Sequence, residues 1–136
     1  MEAILYVEDE AFVREVVREI LGTAGYRVFA AGTAAEAGRI YEEHATEIDL
    51  LLTDVILPGE KGCNLAARLL RMNASLKVLL VTGYGDQLVK REEMGEECLA
   101  KPFTSEGLLE RVRRLLDQRE FLPEREVRVR QTCGGV

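Results

Sequence analysis

The fold is decided by the stretch DLLLTDVILPG at residues 49–59. Its run at residues 50–53 is too short for a helix and lacks polar alternation, which is typical of a parallel strand covered on both faces. The run leads directly into Asp54, so this strand ends in a carboxylate. Pro58 and Gly59 then favour a turn. The stretch therefore predicts a buried strand that delivers an acidic side chain to the loop after it.

Similar apolar runs occupy residues 4–7 and 78–81, and weaker strand candidates lie at residues 26–31 and 98–100. Segments of helical period separate them. Five strands that alternate with helices predict a parallel sheet, because each parallel crossover needs a covering element and is almost always right-handed. The predicted fold class is α/β, a doubly wound five-stranded parallel sheet with helices on both faces.

Helical period is clearest in the first and last of these segments, and each forms one apolar stripe that should face the sheet. The stripes are Phe12, Val13, Val16, Val17, Ile20 and Leu21 in the first, and Leu108, Leu109, Val112, Leu115 and Leu116 in the last. Thr33 and Glu36 predict a capping box at the start of the second helix. Apolar residues at 65, 66, 69 and 70 mark the third helix, and the segment at residues 86–95 has the weakest helical pattern.

Length and composition fit one ordinary domain. The chain has 136 residues, of which 47% are hydrophobic, so it can bury a core without disulfides or metal. We expect this domain to span residues 1–118. Residues 119–136 lose the helical period and are predicted to be a tail; its four arginines and three glutamates do not make a basic arm.

Charge and hydropathy exclude several classes of function. The net charge of -6 argues against direct nucleic-acid binding, which needs concentrated Lys and Arg. No apolar run is long enough to cross a bilayer and the N-terminus lacks a signal-peptide pattern, so we expect a cytoplasmic protein without membrane insertion. The three cysteines, Cys63, Cys98 and Cys133, are widely spaced and should be reduced thiols.

Polar groups end four of the predicted strands: Glu8 and Asp9 the first, Asp54 the third, Thr82 the fourth and Lys101 the fifth. In open α/β sheets, ligands bind beyond the carboxyl ends of the strands. Converging carboxylates repel by about 4 kcal/mol per pair at about 4 Å and an effective dielectric near 20, which a bound Mg²⁺ offsets. Asp54 is then a candidate nucleophile for a phosphoryl group. Lys101 and Thr82 could contact the other phosphoryl oxygens.

Together these residues resemble the receiver domain of bacterial two-component response regulators, over about residues 3–118. The resemblance implies that Glu8 and Asp9 are the acidic pair, Asp54 the phosphoacceptor, Thr82 the switch hydroxyl and Lys101 the conserved phosphoryl contact. Residues 82–84 and 101–104 look most like receivers attached to, or partnered with, hybrid sensor kinases. The family is not an enzyme class, although its members assist their own phosphorylation and dephosphorylation.

The same resemblance implies the flavodoxin-like strand order 2-1-3-4-5. It also implies that Mg²⁺ is bound by Glu8, Asp9, Asp54 and the backbone carbonyl of Ile56, and that the bond between Lys101 and its following proline is cis. A histidine kinase or histidine phosphotransfer protein would supply the phosphoryl group. A downstream protein partner would receive the signal.

Two departures from the family pattern affect how the signal leaves the domain. Cys98 stands three residues before the lysine, where most receivers have Tyr or Phe, and a thiol cannot change its exposure as a ring does. The stretch from Thr82 to Lys101 is also shorter than usual by about one helical turn. We therefore hypothesise that Tyr84 or the first helix carries the readout.

Two other functions compete with the phosphoryl-accepting switch. A degenerate receiver would act as a binding module independent of phosphorylation, and the substitution at Cys98 favours it. A Mg²⁺-dependent aspartyl phosphatase would share the nucleophile, the metal and the lysine. Such enzymes generally need an acid two positions after the nucleophile to protonate the leaving group. Here that position is Ile56, which argues against the phosphatase.

Overall fold

The computed structural model describes residues 1–83 and 98–118. Within them, the strands form one five-stranded parallel sheet in the order β2-β1-β3-β4-β5, which confirms the predicted fold class and strand order. The strands are β1 (Ala3–Val7), β2 (Arg27–Ala31), β3 (Ile48–Asp54), β4 (Lys77–Thr82) and β5 (Cys98–Ala100).

The described helices cover both faces of this sheet. They are α1 (Ala11–Thr23), α2 (Ala34–His44), α3 (Gly62–Met72) and α4 (Ser105–Leu116). Residues alternate across a strand, so Leu5 and Val7 of β1 face one layer while Ile4 and Tyr6 face the other. Buried side chains of α2 and α3 pack on the first face, and those of α1 and α4 pack on the second.

The register of the sheet brings the carboxyl ends of the strands to one edge. Val7, the last residue of β1, pairs with Thr53 of β3, so Asp54 extends one residue beyond that pair. Asp54 in turn pairs with Val81 of β4. Thr82 pairs with Ala100, the last residue of β5. Side chains at or just after these positions are therefore neighbours, as the sequence predicts.

Helix α2 begins after the predicted cap residue, Thr33, but the carboxylate of Glu36 has a different hydrogen-bond partner from the one that a capping box predicts. Thr33 Oγ1 accepts a hydrogen bond from the backbone amide of Glu36 at 3.0 Å. The Glu36 carboxylate accepts from the amide of Gly32 at 2.9 Å, where a capping box would use the amide of Thr33. The loop after β2 is thus tied to the first turn of α2.

Helix α1 buries less of its apolar stripe than the sequence predicts. Val17 and Leu21 are buried against the sheet, whereas Phe12 is 80% exposed and Val16 is 41% exposed. Both exposed residues lie in the first half of the helix, whose start follows the carboxyl end of β1. The predicted stripes of α3 and α4 are buried or half-buried throughout.

Several sequence predictions fall outside the described residues. These are the helical segment at residues 86–95, the role of Tyr84, Cys133 and the tail at residues 119–136, so the domain boundary stays a prediction. Within the part of the chain that the structure describes, Cys63 and Cys98 form no disulfide bond, as expected. Among residues 1–83 and 98–118, no helix combines the length and the apolar character that a membrane span requires.

Candidate metal centre at the carboxyl edge of the sheet

Three acidic side chains meet where β1 and β3 end. Glu8 and Asp9 follow β1 and Asp54 closes β3, and one carboxylate oxygen from each lies within 4.8 Å of the other two. Glu8 and Asp54 are buried, with 2% and 7% exposure, while Asp9 is exposed. The predicted acidic cluster therefore forms, with two of its acids inside the protein and one at its mouth.

Backbone contacts fix the acidic loop after β1. The amide of Glu8 donates to the carbonyl of Ala31 at 3.0 Å, and the Glu8 carboxylate accepts from the amide of Glu10 at 3.1 Å. Arg14 of α1 donates from Nη1 to the carbonyl of Glu8 at 2.7 Å. The sequence did not predict this contact, because the helical period shows only that Arg14 lies on a polar face of α1.

The backbone around Asp54 is held from both sides. On one side, the amide of Val55 donates to the carbonyl of Val81 at 2.9 Å; on the other, the amide of Gly62 donates to the carbonyl of Val55 at 2.6 Å. A Cβ at Gly62 would lie 1.9 Å from the carbonyl oxygen of Asp54, so no side chain fits there. Helix α3 therefore starts in direct contact with the backbone that carries the acid.

Lys101 brings a positive charge to the two buried acids. Its Nζ lies 3.3 Å from Oδ1 and 3.4 Å from Oδ2 of Asp54, and 3.5 Å from Oε1 of Glu8. The amide of Lys101 donates to the carbonyl of Thr82 at 2.7 Å, which holds the end of β5 against β4. The peptide bond to Pro102 is cis, as the resemblance implies.

The charges in this cluster are not balanced. Burial raises the pKa of Asp54 to about 7, the negative charge of Glu8 acts in the same direction, and Lys101 opposes both. Burial alone would lower the pKa of Lys101, but the charges of Asp54 and Glu8 outweigh it and raise that pKa. The lysine therefore stays protonated, and one ammonium faces two buried carboxylates.

Tyr6 is a further neighbour that sequence reasoning missed. It is 3% exposed on β1, and burial, reinforced by the charges of Glu8 and Asp54, raises the pKa of its phenol. Tyr6 lies two residues before Glu8, and strand alternation by itself indicates that the two share a face. Tyr6 is therefore a neutral phenol close to the two buried acids.

The remaining predicted site residues are Thr82, at the end of β4, and Ile56, two residues after the end of β3. Thr82 is 8% exposed, and its Oγ1 accepts a contact from Sγ of Cys98 at 3.8 Å. Ile56 lies in the loop after Asp54 with its side chain 53% exposed. The predicted roles of the Ile56 carbonyl and the Thr82 hydroxyl remain predictions.

Comparison with known proteins identifies the class. The sequence model of the response regulator receiver domain family matches residues 4–113. The chain therefore belongs to this family, as its sequence predicts, and has the family's five-stranded parallel fold. Receiver domains are the phosphoacceptor signalling modules of two-component systems and are generally not enzymes. They generally bind Mg²⁺ at an acidic pocket of the kind that Glu8, Asp9 and Asp54 form here.

Three similar proteins illustrate the match. The aerobic respiration control protein ArcA of Escherichia coli (strain K12) is 36% identical over 118 residues, which are 85% of this chain and 48% of ArcA. A receiver domain protein from Clostridium thermocellum superposes with a TM-score of 0.78 at 25% identity, over 86% of this chain and 95% of that one. The receiver domain of the hybrid histidine kinase CckA gives a TM-score of 0.72 at 36% identity, over 85% and 99% of the two chains.

The curated relatives that match are longer proteins. This chain spans about half the length of the first of them, 50% of the transcriptional regulatory protein YbdJ of Bacillus subtilis and 48% of ArcA. The shared part is the receiver domain.

Proposed function

We propose that Asp54 accepts a phosphoryl group from a phosphohistidine on a histidine kinase or histidine phosphotransfer protein, with Mg²⁺ bound beside it. The observation that carries the proposal is the buried carboxylate of Asp54, which lies among two more acids and a lysine. A nucleophile and the charges that a phosphoryl group needs are thereby present in one pocket. The phosphorylated domain then signals to a downstream protein partner.

The chemistry of the donor set fits Mg²⁺. The ion prefers oxygen ligands and usually keeps several waters around one or two carboxylates. Carboxylate oxygens of Glu8, Asp9 and Asp54 would hold it, with the Ile56 carbonyl as a further ligand. When bound, Mg²⁺ neutralises charge on the phosphoryl oxygens and on the attacking carboxylate. The excess negative charge of the buried acids favours its binding.

In the proposed phosphoryl transfer, one bond to phosphorus forms and one breaks. An oxygen of the ionised Asp54 carboxylate forms a bond to phosphorus, and the bond from phosphorus to the histidine nitrogen of the donor breaks, which leaves that nitrogen with the electron pair. Lys101 is close enough to Asp54 to pair with a phosphoryl oxygen once the group is attached. The Thr82 hydroxyl can donate to another. Water reverses the modification by attacking the phosphorus.

The relatives support the choice of partners. ArcA is named as a respiration control protein and CckA as a hybrid histidine kinase, so the receivers similar to this chain belong to regulators and to kinases. For this chain we propose a domain at residues 1–118 that works in the cytoplasm, where histidine kinases present their phosphohistidine, without binding nucleic acid directly.

Incubation with acetyl phosphate and Mg²⁺, followed by intact mass measurement, tests the proposal. We expect the mass of one phosphoryl group to be added, to depend on Mg²⁺ and to be lost on standing. Steady turnover of a phosphate ester without an adduct would instead indicate the aspartyl phosphatase. Absence of both reactions, in a protein that still binds Mg²⁺, would indicate the phosphorylation-independent binding module that Cys98 favours.

A further inference from the structure

We propose that Arg14 is a positioning residue for the metal site: it holds the backbone carbonyl of Glu8 and thereby keeps the carboxylate of Asp9 beside those of Glu8 and Asp54. The inference rests on the proposed function, because it concerns two of the proposed Mg²⁺ ligands. It assigns a task to a residue of α1 that is neither an acid nor a nucleophile.

The carbonyl that Arg14 holds belongs to the peptide bond between the first two acids. Nη1 of Arg14, in the first turn of α1, donates to the Glu8 oxygen at 2.7 Å. A hydrogen bond from a charged donor is stronger than one from a neutral donor. The amide of Glu8 is held as well, by the carbonyl of Ala31 at 3.0 Å. The backbone of Glu8 is therefore fixed on both sides, and so is the peptide plane that leads into Asp9.

Asp9 depends on that peptide plane more than Glu8 does. The Glu8 carboxylate has partners of its own, because it accepts from the amide of Glu10 at 3.1 Å and lies 3.5 Å from Nζ of Lys101. In the described part of the chain, no group donates a hydrogen bond to the carboxylate of Asp9, which is exposed. Its direction is thus set by its backbone. Mg²⁺ demands near-ideal octahedral geometry, so a turned peptide plane would misplace this ligand.

Gly32 leaves the space that the guanidinium of Arg14 occupies. A Cβ at Gly32 would lie 3.1 Å from Nη1 and 3.7 Å from Cζ of Arg14. The position of Gly32 is fixed in turn, since its amide donates to the carboxylate of Glu36 at 2.9 Å. It also follows Ala31, whose carbonyl binds the amide of Glu8. The loop after β2 therefore packs against the guanidinium next to the acidic loop.

The charge of Arg14 and its positioning role predict opposite effects on cation binding. A positive charge beside three carboxylates repels an incoming cation, so removal of the charge alone should tighten Mg²⁺ binding. If Arg14 orients Asp9, its removal should instead weaken binding, as it does when a residue that orients a metal ligand is lost. The direction of the change in Kd therefore separates the two roles.

Titration with Mg²⁺, followed through NMR amide shifts, measures this Kd. In Arg14→Met we expect the Kd to rise about tenfold. Arg14→Lys keeps a charged donor and should show a smaller rise. Arg18→Met is the matched control, because Arg18 lies one turn further along α1 and donates to the exposed carboxylate of Glu15; its Kd should equal that of the wild type. An unchanged or lower Kd in Arg14→Met would overturn the proposal.

A second variant displaces the guanidinium without removing it. In Gly32→Val the new side chain takes the space of the Arg14 guanidinium, so the Kd for Mg²⁺ should rise. In an Arg14→Met background, the same substitution should change the Kd no further. An equal rise in both backgrounds would count against the proposal, because Gly32 would then act on the site without Arg14. Melting curves without metal show that each variant is folded.

The contact itself can be measured without Mg²⁺. The ¹³C resonance of the Glu8 carbonyl should move upfield in Arg14→Met, where its hydrogen bond is lost, and stay in place in Arg18→Met. A resonance that does not move in Arg14→Met would overturn the proposal. Failure of the wild type to bind Mg²⁺ would count against the proposed function. A wild type that binds Mg²⁺ no better than Arg14→Met would count against the role of Arg14 alone.

Discussion

The ammonium of Lys101 faces the carboxylate of Asp54 almost symmetrically, 3.3 Å from one oxygen and 3.4 Å from the other, although 47 positions separate the residues in the chain. Glu8 is a third member of this group, with Oε1 3.5 Å from the same nitrogen. One cation thus faces two buried anions before any metal or phosphoryl group arrives.

Replacing Lys101 should damage both the resting pocket and the reaction. In Lys101→Met the buried acids lose their counter-charge, so without metal the free energy of unfolding at pH 8 should fall by about 1–3 kcal/mol. The rate of phosphoryl acceptance should fall on the order of a hundredfold, because a preorganised charge on the phosphoryl oxygens is lost. Urea unfolding and intact mass measure the two effects. Lys61→Met, at an exposed position outside the cluster, is the control, and equal effects of both variants would contradict the prediction.

Mg²⁺ should stabilise the folded protein. The ion binds the clustered acids and not the dispersed carboxylates of the unfolded chain, so at a hundredfold excess over its Kd the gain is about 2.7 kcal/mol. Asp54→Asn should shrink the rise in Tm, because it removes one charge from the cluster. Asp49→Asn is the matched control near the opposite end of β3, where the carboxylate accepts from the amide of Ala3. No rise in Tm at millimolar Mg²⁺ would contradict the metal site.

The raised pKa of Asp54 predicts a pH dependence in metal-free protein. Its value is about 7 in the folded protein against 3.8 ordinarily, so the folded state binds more protons than the unfolded state between those values. The contribution of Asp54 to stability should therefore be fully present below about pH 4 and be lost as pH rises to about 7. Urea unfolding measures the free energy of unfolding of the chelator-treated wild type and of Asp54→Asn at several pH values. The difference between the two proteins, plotted against pH, isolates the contribution of Asp54. A difference that stays constant with pH, or that increases, would contradict it.

Gly62 should be required for the position of Asp54. In Gly62→Ala the new Cβ meets the carbonyl oxygen of Asp54, so the start of α3 or the end of β3 must move. We expect a loss of about 1–3 kcal/mol in the free energy of unfolding and slower phosphoryl acceptance.

The matched control for Gly62 is Gly22→Ala, in helix α1. A Cβ there meets nothing within 4 Å, so this variant should be neutral or more stable by up to about 1 kcal/mol. Urea unfolding compares the two, and Gly62→Ala behaving like Gly22→Ala would show that the close approach is unimportant.

The sequence predicts the fold because its strands are short buried runs and each helix has its own period. Parallel strands bring their carboxyl ends to one edge of the sheet. This rule alone predicts that Glu8, Asp54 and Lys101 lie at the same edge. The exposure of Phe12 could not be predicted, because periodicity tells which residues share a helix face but not how far the sheet extends beneath that face.

The sequence could not predict contacts of residues that belong to no motif. Arg14 reaches the carbonyl of Glu8 through a side chain whose direction no pattern specifies. Gly62 excludes a side chain because of a backbone atom eight positions earlier, at Asp54. The contact of Cys98 with Thr82 depends on the register of β4 and β5. Each needs distances between elements that are separate in the chain.

The most direct test of the central claim locates the phosphoryl group on the chain. The protein is treated with acetyl phosphate and Mg²⁺ and then reduced with borohydride, which converts an aspartyl phosphate to homoserine, and the peptides are identified by mass spectrometry. We predict homoserine at position 54 and none at position 9, no 2-amino-5-hydroxyvaleric acid, the product of a glutamyl phosphate, at position 8, and neither product anywhere in Asp54→Asn. Homoserine at another aspartate of the wild type, or a phosphoryl adduct that persists unchanged in Asp54→Asn, would contradict the assignment of Asp54 as the phosphoacceptor.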